Sequence, residues 1–397
     1  MTGEWKECKL GDAVEIDSGF AFKSELYSDK GSLKVVRGKN VTVGQMRWGN
    51  DAKYWNHSTD DLERYFLNEG DVVIGMDGSK IGENRAQIKN SDLPAILAQR
   101  VARLKAKENS DQKFIWHLIF SDEFENYIKS IHTGTSIPHI SQSQIASYDI
   151  LLPPLPEQHA IASVLSSLDD KIDLLHRQNK TLEAMAETLF RQWFVEEADE
   201  EWKTGKLGDI ADINPTYKLK KGDVSSYLDM KNLNTSTFNP EGWCKRGFSS
   251  GMKFKNGDTL LARITPCLEN GKTCYVDFLD EDEIGWGSTE YIVIRMKNPF
   301  HPFISYILAK DKDFRDFAIS SMSGSSGRQR AQAGLIKEYG IKLPPFPLIE
   351  EINIQLAGIV PKLENNAKQI RTLEKLRDTL LPKLMSGEVR VECEDMG

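Results

Sequence analysis

Apolar positions separated by alternating steps of four and three dominate two stretches of the chain. In the first, Ile161, Leu165, Leu168, Ile172, Leu175, Asn179, Leu182, Ala186, Leu189 and Trp193 keep the rhythm for roughly five heptads, which is the seam of a long helix seeking a partner. The second runs Ile352, Leu356, Ile359, Leu363, Asn366, Ile370, Leu373, Arg377, Leu380 and Leu384. Each follows a Pro-rich stop, LPPLP at 152–156 and LPPFP at 343–347. Pro361 should kink or interrupt the second helix unless it lies near its start.

Each long helix is preceded by shorter apolar runs. LKVVRG (33–38), DVVIGM (71–76) and AILAQRVARL (95–104) predict strands in the first half, as do DTLLARI (258–264), KTCYVDFL (272–279) and TEYIVIRM (289–296) in the second. One helix follows in each half, with Phe114, His117, Leu118, Phe124, Tyr127, Ile128 and Ile131 on one face, and Phe303, Tyr306, Ile307, Phe314 and Phe317 on the other copy's. A small polar loop comes next, TGTSIPHIS at 133–141 and SGSSGRQR at 323–330, then a last strand, YDILLP or YGIKLP. The halves are one unit written twice: Glu4-Trp5-Lys6 and Lys9-Leu10-Gly11-Asp12 recur as Glu201-Trp202-Lys203 and Lys206-Leu207-Gly208-Asp209. Asn68-Glu69-Gly70-Asp71 likewise matches Lys255-Asn256-Gly257-Asp258. A period of about 190 residues means duplicated domains, not a solenoid. The predicted divisions are a globular α/β block over 1–153, a helix over 154–198, a second block over 199–344 and a second helix over 345–390.

A lone Asn in a coiled-coil seam favours meeting another polar group and so selects register. Antiparallel pairing with Asn179 facing Asn366 sets Ile161 against Leu384, Leu165 against Leu380, Ile172 against Leu373, Leu175 against Ile370, Leu182 against Leu363 and Leu189 against Leu356. Only Leu168 against Arg377 is poor, and there the Arg stem is expected to cover the leucine while its head reaches water. A parallel pair would mismatch both asparagines, so the antiparallel arrangement is expected.

With 397 residues, 40% hydrophobic and 28% charged, the chain reads as an ordinary globular protein. No apolar run approaches a membrane span and the N-terminus is no signal peptide, so a cytoplasmic location is expected. The five cysteines form no C-x-x-C pair, and the seven histidines lack metal spacing, which predicts no metal site. A net charge of −8 argues against indiscriminate nucleic-acid binding but not against a basic groove on one face.

Motifs that suggest catalysis fail on inspection. Gly271-Lys272-Thr273 lacks the upstream glycine of a phosphate loop, and Asn214-Pro215-Thr216-Tyr217 is one residue from the N-P-P-Y of amino-group methyltransferases without their cofactor loop. A non-catalytic binding role is expected. Two diverged blocks held apart by helices of about 38 residues, ~57 Å at ~1.5 Å per residue, suit a ligand with two separated sites, such as on the order of 15 base pairs of duplex DNA. Candidate DNA contacts are Arg37, Lys39, Asn40, Arg47, Asn84, Arg85, Arg246, Arg263 and Lys272 in the variable loops. The polar loops add Gly134, Thr135, Ser136, Gly324, Ser325, Arg328 and Arg330 for phosphates.

With its duplicated EWK-x2-KLGD opening, Gly-Asp strand, Ser/Thr-Gly loop, LPPLPEQ at 152–158 and heptad helix ending TLFRQWF, the chain resembles the DNA-specificity subunits of type I restriction-modification systems over essentially its whole length. The resemblance implies α/β target recognition domains, duplicated, in a pseudo-two-fold arrangement and joined by two antiparallel coiled-coil helices. It implies that each domain reads half of a split DNA target while the helices set the gap and dock two methyltransferase subunits. S-adenosylmethionine, ATP and Mg are then expected on those and on the restriction subunits, with no cofactor on this chain. In the second copy Pro347-Leu348-Ile349-Glu350 replaces the P-E-Q of the first. Because the middles of the two blocks differ, an asymmetric target is expected. The alternatives are a related system whose partner fuses restriction and methylation, a coiled-coil scaffold that binds protein, and an enzyme in its own right.

Overall fold

A computed structural model describes residues 4–133, 138–196, 198–325 and 327–391. It forms two compact units, Met1–Lys171 with Leu373–Gly397, and Ile172–Thr372. The division falls inside both long helices, so each unit owns one globular block and a part of each helix.

In the first unit a five-stranded sheet runs in the order Val14–Ser18, Val101–Ala106, Val72–Gly75, Arg85–Gln87, Val43–Gly44, antiparallel except for its last pair. The strand Val72–Gly75 is buried on both faces, which is why it reads as an unbroken apolar run. Val72 and Ile74 meet the helices through Phe114, Leu118, Phe124 and Ile128, whereas Val73 faces a second core with Val36, Ala86, Leu97 and Val101. Lys6–Lys9 pairs with Asp149–Leu152, joining the block's two ends just before the helix Leu155–Arg191 departs.

Two expectations change here. The run 95–104 is not one strand: Ala95–Leu97 pairs in parallel with Lys34–Val36, Val101–Ala106 joins the large sheet, and Ala98–Arg100 links them. The amphipathic helix is also two, Gln112–Phe120 and Asp122–Ile131, because Ser121 turns extended and its hydroxyl caps the second by accepting from Phe124 N.

The second unit repeats the plan with two four-stranded sheets. One orders Ala211–Ile213, Tyr291–Met296, Thr259–Ala262 and Thr273–Tyr275; the other orders Cys244–Gly247, Val224–Leu228, Gly285–Gly287 and Met252–Phe254. Thr204–Lys206 pairs with Gly340–Lys342 before the helix Phe346–Met385.

The repeated motifs prove to be backbone devices. In KLGD, Asp12 accepts from Lys9 N at 3.0 Å and Asp209 from Lys206 N at 2.8 Å, capping a one-turn helix in each copy. A Cβ on Gly11 would meet that of Ala146 at 3.0 Å, so the glycine lets this turn seat closely. In the Gly-Asp motif, Gly70 (φ 87°) and Gly257 (φ 88°) take the left-handed turn, and Asp71 and Asp258 accept from Asn68 N and Lys255 N. Gln158 of LPPLPEQ is fully buried, donating to Pro153 O and Asn109 O and accepting from Asp111 N. Its neighbour Glu157 accepts from Trp5 Nε1 and from Arg390 beyond the second helix.

The helix pair is antiparallel within each unit. In the first, Ile161 and Leu165 share a core with Leu380 and Leu384. The head of Arg377 does not go to water there; Nη1 donates to Asp169 at 3.0 Å and Nη2 to Asp378 at 2.8 Å. In the second unit Asn366 Nδ2 donates to Asn179 Oδ1 at 2.9 Å, with both side chains buried. Pro361 does not interrupt its helix, which runs unbroken over the 40 residues Phe346–Met385. Both Pro361 and Ala357, whose carbonyl loses its usual N–H donor, lie on the exposed face, so water can take that carbonyl while Val360 and Leu363 hold the buried face.

Candidate nucleic-acid interface

In each unit the links between strands gather at a common end. In the first unit Arg47 N donates to Asn40 O, Met76 N to Arg100 O, Gly78 N to Pro138 O and Ile140 N to Met76 O, which draws together 37–47, 76–78, 98–100 and 138–140. In the second, Arg263 N donates to Glu290 O, Thr265 N to Gln329 O and Ala331 N to Arg263 O. Lys272 Nζ donates to Met230 O and Lys231 O at 3.1 and 3.2 Å, tying the turn Met230–Asn232 to the same end.

The candidate residues separate into scaffold and surface. Asn40 is fully enclosed: its Oδ1 accepts from Arg37 N and Nε, and its Nδ2 donates to Arg47 O. Arg85 is buried, donating to Ile119 O, Ser121 O and Glu125. Both are buried, so neither side chain can reach a base, and both leave the set of readers. Asn84 is half-buried and its carbonyl accepts from Gly75 N.

Arg37, Lys39 and Arg47 converge on Asp51. Lys39 Nζ lies 2.6 Å from Asp51 Oδ1, Arg47 Nη2 lies 3.7 Å from Oδ2, and Arg37 donates to the Asp51 carbonyl while its guanidinium lies over Tyr27. The Lys39 hydrogen bond holds the Asp51 carboxyl below its ordinary range, so three cations surround one charged carboxylate and a positive excess faces solvent. Gly134, Thr135 and Ser136 lie outside the described residues.

In the second unit Arg330 grips Glu290 through Nε and Nη2 at 2.8 to 3.0 Å, and Arg263 Nε stands 3.6 Å from the same carboxylate. Gly324, Ser325 and Arg328 are exposed in the loop that this pair anchors. Arg246, on the exposed edge strand Cys244–Gly247, stacks over Tyr227 at 4.9 Å and Trp286 at 5.8 Å, a flat cation held on aromatic faces. The polar groups of the N-P-T-Y stretch are engaged within the fold: Asn214 Oδ1 accepts from Val293 N, and Tyr217 OH donates to Asp258 and accepts from Arg295 Nε, while Thr216 is exposed.

Gln99 and Arg100 are exposed at the first unit's loop end and were not foreseen, because 95–104 reads as a strand. Their only sequence signal is a polar pair interrupting an apolar run. Among the described residues no set of three or more His, Cys, Asp or Glu is placed to hold a metal ion, and no helix is long and apolar enough to cross a membrane.

Residues 2–184 and 199–375 each match the type I restriction modification DNA specificity domain. The chain belongs to this family. It is 26% identical over 328 residues to the type I restriction enzyme MjaIX specificity subunit of Methanocaldococcus jannaschii, covering 75% of this chain and 74% of that one. It is 32% identical over 188 residues to the EcoAI specificity subunit of Escherichia coli, covering 46% of this chain and 31% of that one. A crystal structure of the S subunit of a type I restriction-modification system from M. genitalium shares the fold, with a TM-score of 0.61, 18% identity and 96% of each chain covered.

Proposed function

We propose that this specificity-family chain recognises a split DNA sequence whose two halves differ, each read by one recognition domain, and that it performs no catalysis itself. The observation that carries the reading is the unlike chemistry on one duplicated scaffold. At matching positions just before the strands Val101–Ala106 and Tyr291–Met296, the first copy presents Arg100 and the second Glu290, which is bound up with Arg263 and Arg330. A cation with free donors and an acid holding two arginines cannot select the same base edges.

The expected partners are modification subunits, which bring S-adenosylmethionine and methylate adenine, and restriction subunits that use ATP and Mg. The long helices are their docking element and fix the number of bases between the half-sites. Mapping modified adenines genome-wide in the host, with and without this gene, tests the reading. One bipartite motif with unlike halves should vanish on deletion; an unchanged map, or a motif with identical halves, would contradict it.

A further inference from the structure

We propose that Gln99 and Arg100 read base edges in the half-site taken by the first domain, an inference that rests on the DNA-specificity reading above. Ala98–Arg100 carries the chain from the parallel pair into the large sheet, and its backbone is pinned on three sides. Ala98 N donates to Val36 O, Gln99 N to Phe20 O, and Arg100 O accepts from Met76 N, all within 2.9 Å. Arg100 has φ 71°, a left-handed conformation that glycine takes freely and other residues seldom do. A turn alone would be made at lower cost by glycine. Strain at a position fixed by its surroundings belongs with a side chain that is used.

The surroundings agree. Leu97, Ala98 and Val101 are buried while Gln99 and Arg100 project to solvent between the 37–47 loop, with its three cations, and the 76–78 turn. Arg37, Lys39, Arg47, Arg85 and Arg103 all bond to protein groups. Arg100 and Gln99 make no side-chain hydrogen bond or ion pair among the described residues, so their donors and acceptor are free. A guanidinium presents two parallel donors that match O6 and N7 of guanine, and a carboxamide matches N6 and N7 of adenine. The pair therefore fits purines in the major groove, positioned by phosphate contacts from Lys39 and Arg47.

The test replaces the host gene by full-length Arg100→Gly, Arg100→Lys and Gln99→Ala variants and maps modified bases genome-wide. Arg100→Gly suits φ 71°, so its thermal midpoint should not fall. Discrimination at one position of one half-site should drop roughly 5- to 150-fold, with the other half-site unchanged. Arg100→Lys keeps the charge but not the fork and should relax the same position. Gln99→Ala should relax a position beside it. An unaltered motif in Arg100→Gly, a uniform decline across all sequences, or full restoration by Arg100→Lys would overturn base reading at Arg100 while leaving the DNA-specificity role intact. Absence of any modification that depends on the wild-type gene would instead overturn that role.

Discussion

Replacing Asn366 by leucine tests whether the buried amide pair governs the helix seam. Asn179 and Asn366 are 3% and 8% exposed and share a 2.9 Å hydrogen bond, with Leu175, Leu363, Ala367 and Ile370 buried around them. Asn366→Leu leaves the Asn179 carboxamide buried without its donor, which costs about 1–3 kcal/mol. Asn179→Leu should cost about the same, by the same argument. The double variant removes both polar groups and buries two apolar side chains, each contributing up to about 1.5–3 kcal/mol, so it should be no less stable than wild type. The coupling between the sites should therefore be about 2–6 kcal/mol and opposite in sign to the single losses. Hydrogen exchange over 172–191 and 346–372 reads this locally, without assuming that the two units unfold together. Each single variant should exchange roughly 5- to 150-fold faster in that region, and the double variant should not. Additive effects with no coupling would refute the reasoning. The double variant should also lose register: with Cys at 175 and at 363, one heptad away from the native pairing of 175 with 370, crosslinks should appear in it and not in the parent.

Two further perturbations follow from the second unit. Burial pushes the Glu183 carboxyl up to about 7 although Tyr306 OH and Phe238 N both donate to it. The folded state therefore keeps a proton that the unfolded state releases from pH 4.5 upward, and stability is lost as pH rises towards 7. Glu183→Gln should stabilise at pH 8 by as much as ~3 kcal/mol and hardly at pH 4; identical melting curves at both pH values would dispose of this. Pro361→Ala restores an N–H for the Ala357 carbonyl on an exposed helix face and should raise the thermal midpoint, by up to about 3 kcal/mol in stability, whereas a lowered midpoint would mean that proline shapes the helix usefully.

The seams, the facing asparagines and the duplicated blocks were legible because each rests on a period, and periodicity survives whatever the tertiary context does. Helix and strand breaks were less so. Ser121 ends one helix and caps the next, but the apolar face continues across it and reads as one element. Leu97 and Val101 lie in different sheets, yet the run 95–104 looks uninterrupted, because the turn at Arg100 uses a residue that carries no turn signal. Residue type alone also could not separate Arg85, buried against Glu125, from Arg328, exposed in its loop. An arginine in a variable segment reads identically whether it braces the fold or faces a ligand. Arg377 shows the same limit inside a seam, where Asp169 rather than solvent receives it.

What makes the family recognisable and what makes this member specific lie in different parts of each block. Asp12 and Asp209 cap backbone, Asp71 and Asp258 cap backbone again, and Gln158 satisfies three main-chain groups. Gln158 tolerates little change because a buried backbone group without a partner costs about 1–3 kcal/mol whichever sequence is being read. The loop ends carry no such constraint. At matching positions Arg100 extends to solvent while Glu290 gathers Arg263 and Arg330, and the strands beneath keep the same order of pairing. A scaffold that completes its hydrogen bonds internally can exchange the residues at its rim without refolding. Specificity in such a protein should then change through substitutions at positions like Arg100, with stability nearly unaffected, and the duplicated motifs should remain silent about which DNA is chosen.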